Sequence, residues 1–177
     1  LRDEYPDKFL WIELGLQTIH EDTARYIRRG YPLSCFEQAC ADLKALQIPF
    51  IVHTILGLPG ETNIQLLQTM DYLNRIQPFG IKLQLLHVLK DTDLADDYLA
   101  GKFEALTFDA YIDLVISCLA HLSPDIVIHR VTGDGPKNLL IAPTWSMDKR
   151  GVLNELHHRM KKQGIRQGDL FPKDNYS

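Results

Sequence analysis

Cysteine is scarce: Cys35, Cys40 and Cys118 are the only three in 177 residues. An odd number of thiols argues against a closed disulfide framework and fits a reducing cytoplasm. Cys35 and Cys40 fall on different faces of a predicted helix, and Cys118 is remote. The chain therefore offers too few clustered thiolates for an iron–sulfur or zinc site, and all three are expected to be packed side chains. Long apolar runs are also lacking. Ile48–Ile55 and Ile81–Leu89 carry polar residues and fall far short of a membrane-spanning helix, so no membrane role is expected. No signal-peptide pattern opens the sequence, and its first residue is Leu1 rather than Met. With no internal repeat, low-complexity segment or linker, one domain is expected.

What is present suits a folded core, because hydrophobic residues make up 45% and charged residues 24%. The net charge of −4 is unevenly spread. Asp148–Arg166 holds six basic residues and two acidic ones, which leaves −8 on the rest. That stretch reads as a solvated helix face or as a surface for phosphate. The acidic run Asp91–Asp97 reads as a solvated loop and helix start.

Strand and helix patterns alternate along the chain. Strands are predicted over Phe9–Gln17, Pro49–Leu56, Gly80–Leu89 and Asp125–Arg130. Helices are predicted over Asp22–Arg29, capped by Asp22 and closed by Gly30; over Ser34–Leu46, capped by Ser34; and over Thr62–Ile76, Thr107–Leu122 and Asp148–Gln163. The tail beyond Gly164 reads as polar and frayed. This alternation predicts an α/β fold with a parallel sheet, its helices on one outer face if the sheet curls into a barrel.

Polar side chains recur at one parity. Glu13, Gly15 and Gln17 share a strand face, as do His53, Ile55 and Gly57, and Lys82 and Gln84. A central parallel strand is normally apolar on both faces, and burying a polar group without a partner costs about 2–7 kcal/mol. The five polar residues together predict either a ligand-facing surface or a satisfied buried network such as Glu13 with Lys82. Gly57-Leu58-Pro59-Gly60-Glu61-Thr62 follows the second strand. Strand C-terminal ends and helix N-termini are where α/β folds bind ligands, and Thr62 with Gln65 forms a capping-box pattern.

Several segments together resemble a known superfamily. Glu13-Leu14-Gly15-Leu16-Gln17-Thr18, Arg28-Arg29-Gly30-Tyr31, His53–Thr62 and Ile81–Leu94 resemble the second half of a radical S-adenosylmethionine enzyme. Their order is similar to that in oxygen-independent coproporphyrinogen oxidases and the Elongator catalytic-subunit family. Ile128–Asp134, Ile141-Ala142-Pro143-Thr144-Trp145 and Gln167-Gly168 are similar to the YhcC/YtqA-like branch.

The resemblance implies the second half of a partial (βα)6 TIM-type barrel over residues 1–95, carrying barrel strands four to six. Residues 96–177 would form a C-terminal helical, substrate-region extension packed on the same domain. It implies S-adenosylmethionine and a [4Fe–4S] cluster in a full-length protein, which would generate a 5′-deoxyadenosyl radical for hydrogen abstraction. The cluster's CxxxCxxC-type loop has no counterpart in this sequence, so a C-terminal fragment that cannot bind the cluster and lacks radical chemistry is expected. By the same resemblance Glu13, Gln17, Arg29, His53, Gly57, Leu86 and Val88 bind S-adenosylmethionine, Glu13 at the methionine amino group and Arg29 at the carboxylate. His129, Arg130, Thr132 and Asp134 are the substrate candidates. Implied partners are tRNA and a flavodoxin or ferredoxin reductant, in the cytoplasm. Two other readings stand beside it: a non-catalytic nucleic-acid-binding or interaction module, and a conventional α/β barrel enzyme using Glu13 and His53 as acid and base. Trp145 reads as a core anchor or a base-stacking surface, and His157 and His158 as surface residues.

Overall fold

The structure, a computed structural model, describes residues 7–133 and 135–172. In chain order its elements are β1 (Ile12–Gln17), α1 (Glu21–Tyr26), α2 (Leu33–Ala45), β2 (Phe50–Leu56), α3 (Asn63–Ile76), β3 (Gly80–Leu85) and β4 (Val88–Leu89). They continue with α4 (Asp93–Leu99), α5 (Phe108–His121), β5 (Val127–Arg130), β6 (Leu140–Ala142) and α6 (Lys149–Gln163). β1, β2, β3 and β5 lie side by side in that order, all parallel. β4 and β6 form a separate antiparallel pair.

Strand periodicity sorts the residues between two faces. Leu16, Val52, Thr54, Leu56, Ile81, Leu83 and Leu85 are buried on the helix-covered face, against Phe36 and Cys40 of α2, Leu66, Met70 and Leu73 of α3 and Tyr111 and Ile112 of α5. The opposite parity carries the less buried residues Glu13, Gly15, Gln17, His53, Ile55, Lys82 and Gln84. This polar face is the one a barrel would turn inward. At the N-terminal ends of the strands Phe9, Trp11, Phe79 and Val127 are exposed. Phe9 contacts both Trp11 and Phe79 at 5.8 Å between ring centroids, and His129 contacts Phe79 at the same separation.

Several boundaries move. α1 begins at Glu21, so Asp22 lies in its first turn and pairs with Arg25 instead of capping. It ends ahead of Arg28, which takes the left-handed conformation (φ 56°) before Gly30 does. α2 begins at Leu33 rather than after Ser34, because the Glu21 carboxylate accepts the Leu33 N–H at 2.6 Å and does the capping from outside the helix. The expected strand Gly80–Leu89 is broken after Leu85. Leu86 N–H still reaches Leu56 O at 3.0 Å, but Val88–Leu89 turns away to pair with β6.

The acidic run contributes α4, capped by Thr92. The expected boundary at residue 95 falls inside this helix, while α5 and α6 join the same core as the sheet. The tail is not frayed as far as Pro172. Gln167 Nε2 donates to Ser123 O and Ile126 O at 2.8 and 2.7 Å, and Leu170 N–H donates to Ala120 O at 2.8 Å. Cys35 is exposed, not packed; Cys40 and Cys118 are buried.

The Thr62–Gln65 capping box is formed reciprocally at the start of α3. Thr62→Ala removes the cap oxygen and is expected to lower stability by about 1 kcal/mol, read from a shifted urea midpoint at unchanged slope.

Candidate active-site cleft

The polar parity resolves into a connected triad. Glu13 Oε2 accepts from Lys82 Nζ at 2.5 Å and lies 2.7 Å from His53 Nε2, and Trp11 Nε1 donates weakly to Oε1 at 3.5 Å. β1, β2 and β3 bring these residues together because Gly15, His53 and Lys82 stand in register across the sheet. The Lys82 ammonium foremost, with help from His53, holds the Glu13 carboxyl down at about 2, although burial pushes the other way. A depressed carboxyl stabilises the fold above its ordinary value of 4.5, and that contribution is lost as pH falls toward 2. Lys82→Met is therefore expected to return the Glu13 titration toward 4.5 and to remove most of this pH-dependent contribution between about 4.5 and 2. A carbon-detected NMR titration of the Glu13 carboxyl reads this directly.

Above the triad, at the C-terminal ends of β1–β3, lies a cleft of about 880 Å³. Gln17, Ile55, Leu58 and Leu86 form its floor; residues 26–29 with Tyr31 form one wall, and Asp91–Leu94 with Asp97 the other. Gln17 sits at a β-bulge with φ 59°, which turns its side chain back toward the strand's own carbonyls. Leu86 lines the cleft, whereas Val88 is fully buried with Ala95 and Ala142 and does not. Gly57 serves a different neighbour than expected: at φ 83°, a Cβ there would stand 2.8 Å from Leu106, which occupies that space.

The second arginine of the Arg28-Arg29 pair is a structural clamp. Its side chain is 1% exposed. Nε donates to Tyr31 O at 2.9 Å, Nη1 to Thr18 O at 2.7 Å and Leu16 O at 3.3 Å, and Nη2 to Glu21 Oε1 at 2.9 Å. Beside it, the Thr18 hydroxyl donates to Glu61, and His20 Nε2 lies 2.8 Å from Gln65 O. Burial pushes the Glu61 carboxyl up, with the Thr18 bond opposing. Arg29 and Glu61 thus tie the loop after β1 to the turn that opens α3, and that junction supports one side of the cleft. Tyr26 Oη donates to Asp97 at 2.6 Å and Arg28 pairs with Asp93, so two contacts cross the mouth to α4, one from the end of α1 and one from the turn after it.

The remaining candidates lie elsewhere. His129, Arg130 and Thr132 line a separate hollow of about 420 Å³ between β5 and α6, with Leu153, Leu156 and Met160. Asp134 lies outside the described residues. Trp145 is a core anchor: Nε1 donates to Leu106 O at 3.0 Å, and its ring meets Phe108 and Tyr111 at 5.4 Å. His157 and His158 are exposed. Tyr26, Asp93 and Asp97 were missed in the sequence reading. Nothing local marks them; their sole sequence signal is the position of α1 and the acidic run after two successive strand ends.

Among the described residues the side chains do not fit an iron–sulfur cluster. Among the described residues no group of three His, Cys, Asp or Glu is placed to hold a metal. Burial pushes the Cys40 and Cys118 thiols up to about 11 and about 12, far from the thiolate a cluster needs. No helix among the described residues is long and apolar enough to cross a membrane.

A parallel sheet with a cleft at its strand C-terminal ends is the arrangement of (βα)-barrel enzymes, and comparison with known proteins narrows it. The "Radical SAM superfamily" family model matches residues 3–73, and the "Radical_SAM C-terminal domain" model continues over residues 78–162. The chain belongs to the radical SAM superfamily. It is 39% identical over 163 residues to the uncharacterized protein YtqA of Bacillus subtilis, covering 92% of this chain and 51% of that protein. It is 29% identical over 169 residues to protein YhcC of Escherichia coli, covering 94% of this chain and 55% of that one. The chain thus spans about half the length of the curated relatives it matches. Among solved structures, the archaeal Methanocaldococcus infernus Elp3 with an N-terminal deletion superposes with a TM-score of 0.78. That match covers 89% of this chain and 37% of that one at 18% identity, and it establishes the shared fold. The fold expectation, an α/β architecture consistent with part of a TIM-type barrel, is borne out.

Proposed function

We propose that this chain supplies the adenosyl side of an S-adenosylmethionine cleft in a radical SAM enzyme. The observation that carries the reading is the 880 Å³ cleft at the ends of β1–β3. It has an apolar floor of Ile55, Leu58 and Leu86 for the adenine, the Gln17 amide beside it and arginine at one wall. These residues fit a nucleoside bearing an amino-acid end, because flat apolar surface and a few convergent polar groups are what such a ligand needs. When bound, S-adenosylmethionine supplies the sulfonium whose reductive cleavage gives the radical. The chain's own residues bind and orient: the clamp of Arg29 and Glu61 holds the loop, and the Glu13–His53–Lys82 triad presents fixed polar groups below. The cluster, the reductant (a flavodoxin or ferredoxin) and hydrogen abstraction belong to the whole protein's activity. tRNA is the proposed substrate class, supported by family resemblance and by the exposed basic residues Arg150, Lys161 and Lys162 of α6. Arg159 is not available to RNA, since Glu155, Asp109 and Asp113 hold it.

The test is NMR titration of the chain with S-adenosylmethionine. The reading expects shifts confined to Gln17, Ile55, Leu58, Leu86 and their neighbours. Shifts elsewhere, or none at millimolar ligand, overturn it.

A further inference from the structure

The hollow between β5 and α6 takes no part in the cleft. It holds about 420 Å³, shares no lining residue with the cleft, and lies at the edge of the sheet opposite β1. Ile128, Leu156 and Met160 make its lining largely apolar, and Thr132 and His157 bring polar groups to it. Charge is sorted across α6. On the flank toward α5, Arg159 holds Glu155, Asp109 and Asp113, so the acids there are matched. Asp148 is spent as the cap, accepting the Gly151 N–H at 2.9 Å. The flank toward the hollow carries Leu153 and His157. Arg150 and Lys161, both exposed, stand seven residues before and four residues after His157. Residues at these spacings share a helix face, so the three form one stripe beside the hollow over about 16 Å of helix.

We propose that this stripe and hollow hold an unpaired stretch of RNA. Its phosphates lie along Arg150 and Lys161, and one base enters the hollow. The charge selects a polyanion, since Asp148–Arg166 is basic on a chain whose net charge is −4. The hollow selects an unpaired strand, because a flat ring gains from an apolar wall only where pairing has not already buried it. A lipid surface would need apolar side chains along the outer face of α6, where Asn154, His158 and Lys162 stand instead. The inference rests on the RNA reading above and deepens it: the RNA is held at the sheet edge, away from the cleft.

Fluorescence anisotropy of the 177-residue chain tests it. The probes are a labelled, unstructured RNA of about eight nucleotides, an abasic ribose-phosphate strand of equal length, and a tRNA transcript. Affinity for the short RNA is expected to fall as salt rises. Arg150→Gln with Lys161→Gln lowers it about tenfold and flattens the salt dependence. Lys44→Gln, on the exposed side of α2, leaves it within about twofold. The abasic strand binds about tenfold more weakly than the intact one. Leu153→Ser cuts back the hollow at a residue 37% exposed, and it narrows that difference to about threefold while the abasic strand is unaffected. Thermal melts verify that the variants fold. If the transcript binds, four results overturn the proposal and leave the RNA reading standing: no binding of the short RNA, equal losses in Lys44→Gln and the double variant, equal affinity for the two strands, or an equal Leu153→Ser effect on both. Failure of both the transcript and the short RNA to bind at low salt overturns the RNA reading and this proposal with it.

Discussion

Asn74→Ala is expected to cost about 2–5 kcal/mol, enough to unfold much of the population at ordinary temperature. The side chain is fully buried at the end of α3. Its Nδ2 donates to His121 O at 2.8 Å and its Oδ1 accepts the Ser123 N–H at 2.8 Å. Both backbone groups lie where α5 ends, and alanine would leave a buried donor and a buried acceptor without their protein partner. The penalty for such groups, about 1–3 kcal/mol each, exceeds the modest net value of the bonds themselves. Equilibrium urea unfolding reads the loss. A change below about 1 kcal/mol would mean that water reaches the site and satisfies both groups.

Arg29→Gln is the second large effect, expected at about 2–4 kcal/mol. Glutamine cannot span Leu16, Thr18 and Tyr31 carbonyls together, and the loop after β1 loses its anchor. Arg29→Lys is expected to restore little, since a single ammonium cannot reproduce the planar fork. Hydrogen exchange distinguishes this variant from Asn74→Ala. Amides of residues 18–31 should lose protection first in Arg29→Gln, well before the core of β2 and β3. Uniform loss of protection would assign Arg29 to global stability alone.

The alternation of strands and helices made the sheet legible from the sequence, because the period-two burial of β2 and β3 and the apolar stripe of α3 are local properties. The Glu13–Lys82 contact was legible for the same reason: parity put two opposite charges on one face of neighbouring strands. What stayed hidden depends on residues far apart in the chain. Ser34 has every local attribute of a helix cap, yet the Glu21 carboxylate performs that task. The polar tail reads as solvated, yet Gln167 satisfies carbonyls of Ser123 and Ile126. Arg29 matches a ligand-binding pattern, but it is held by Glu21 and by three backbone carbonyls, which carry no signature in a sequence. Arg28 gains its place in the cleft from a left-handed backbone that composition and spacing do not announce.

The exposed rings of Phe9, Trp11 and Phe79, with Val127, gather at the N-terminal ends of the strands, and the cleft opens at the C-terminal ends. Exposed aromatic surface and the polar cleft therefore fall at opposite ends of the sheet. A surface that settles on the aromatic pole removes apolar area from water without crossing the mouth between Arg28 and Asp93.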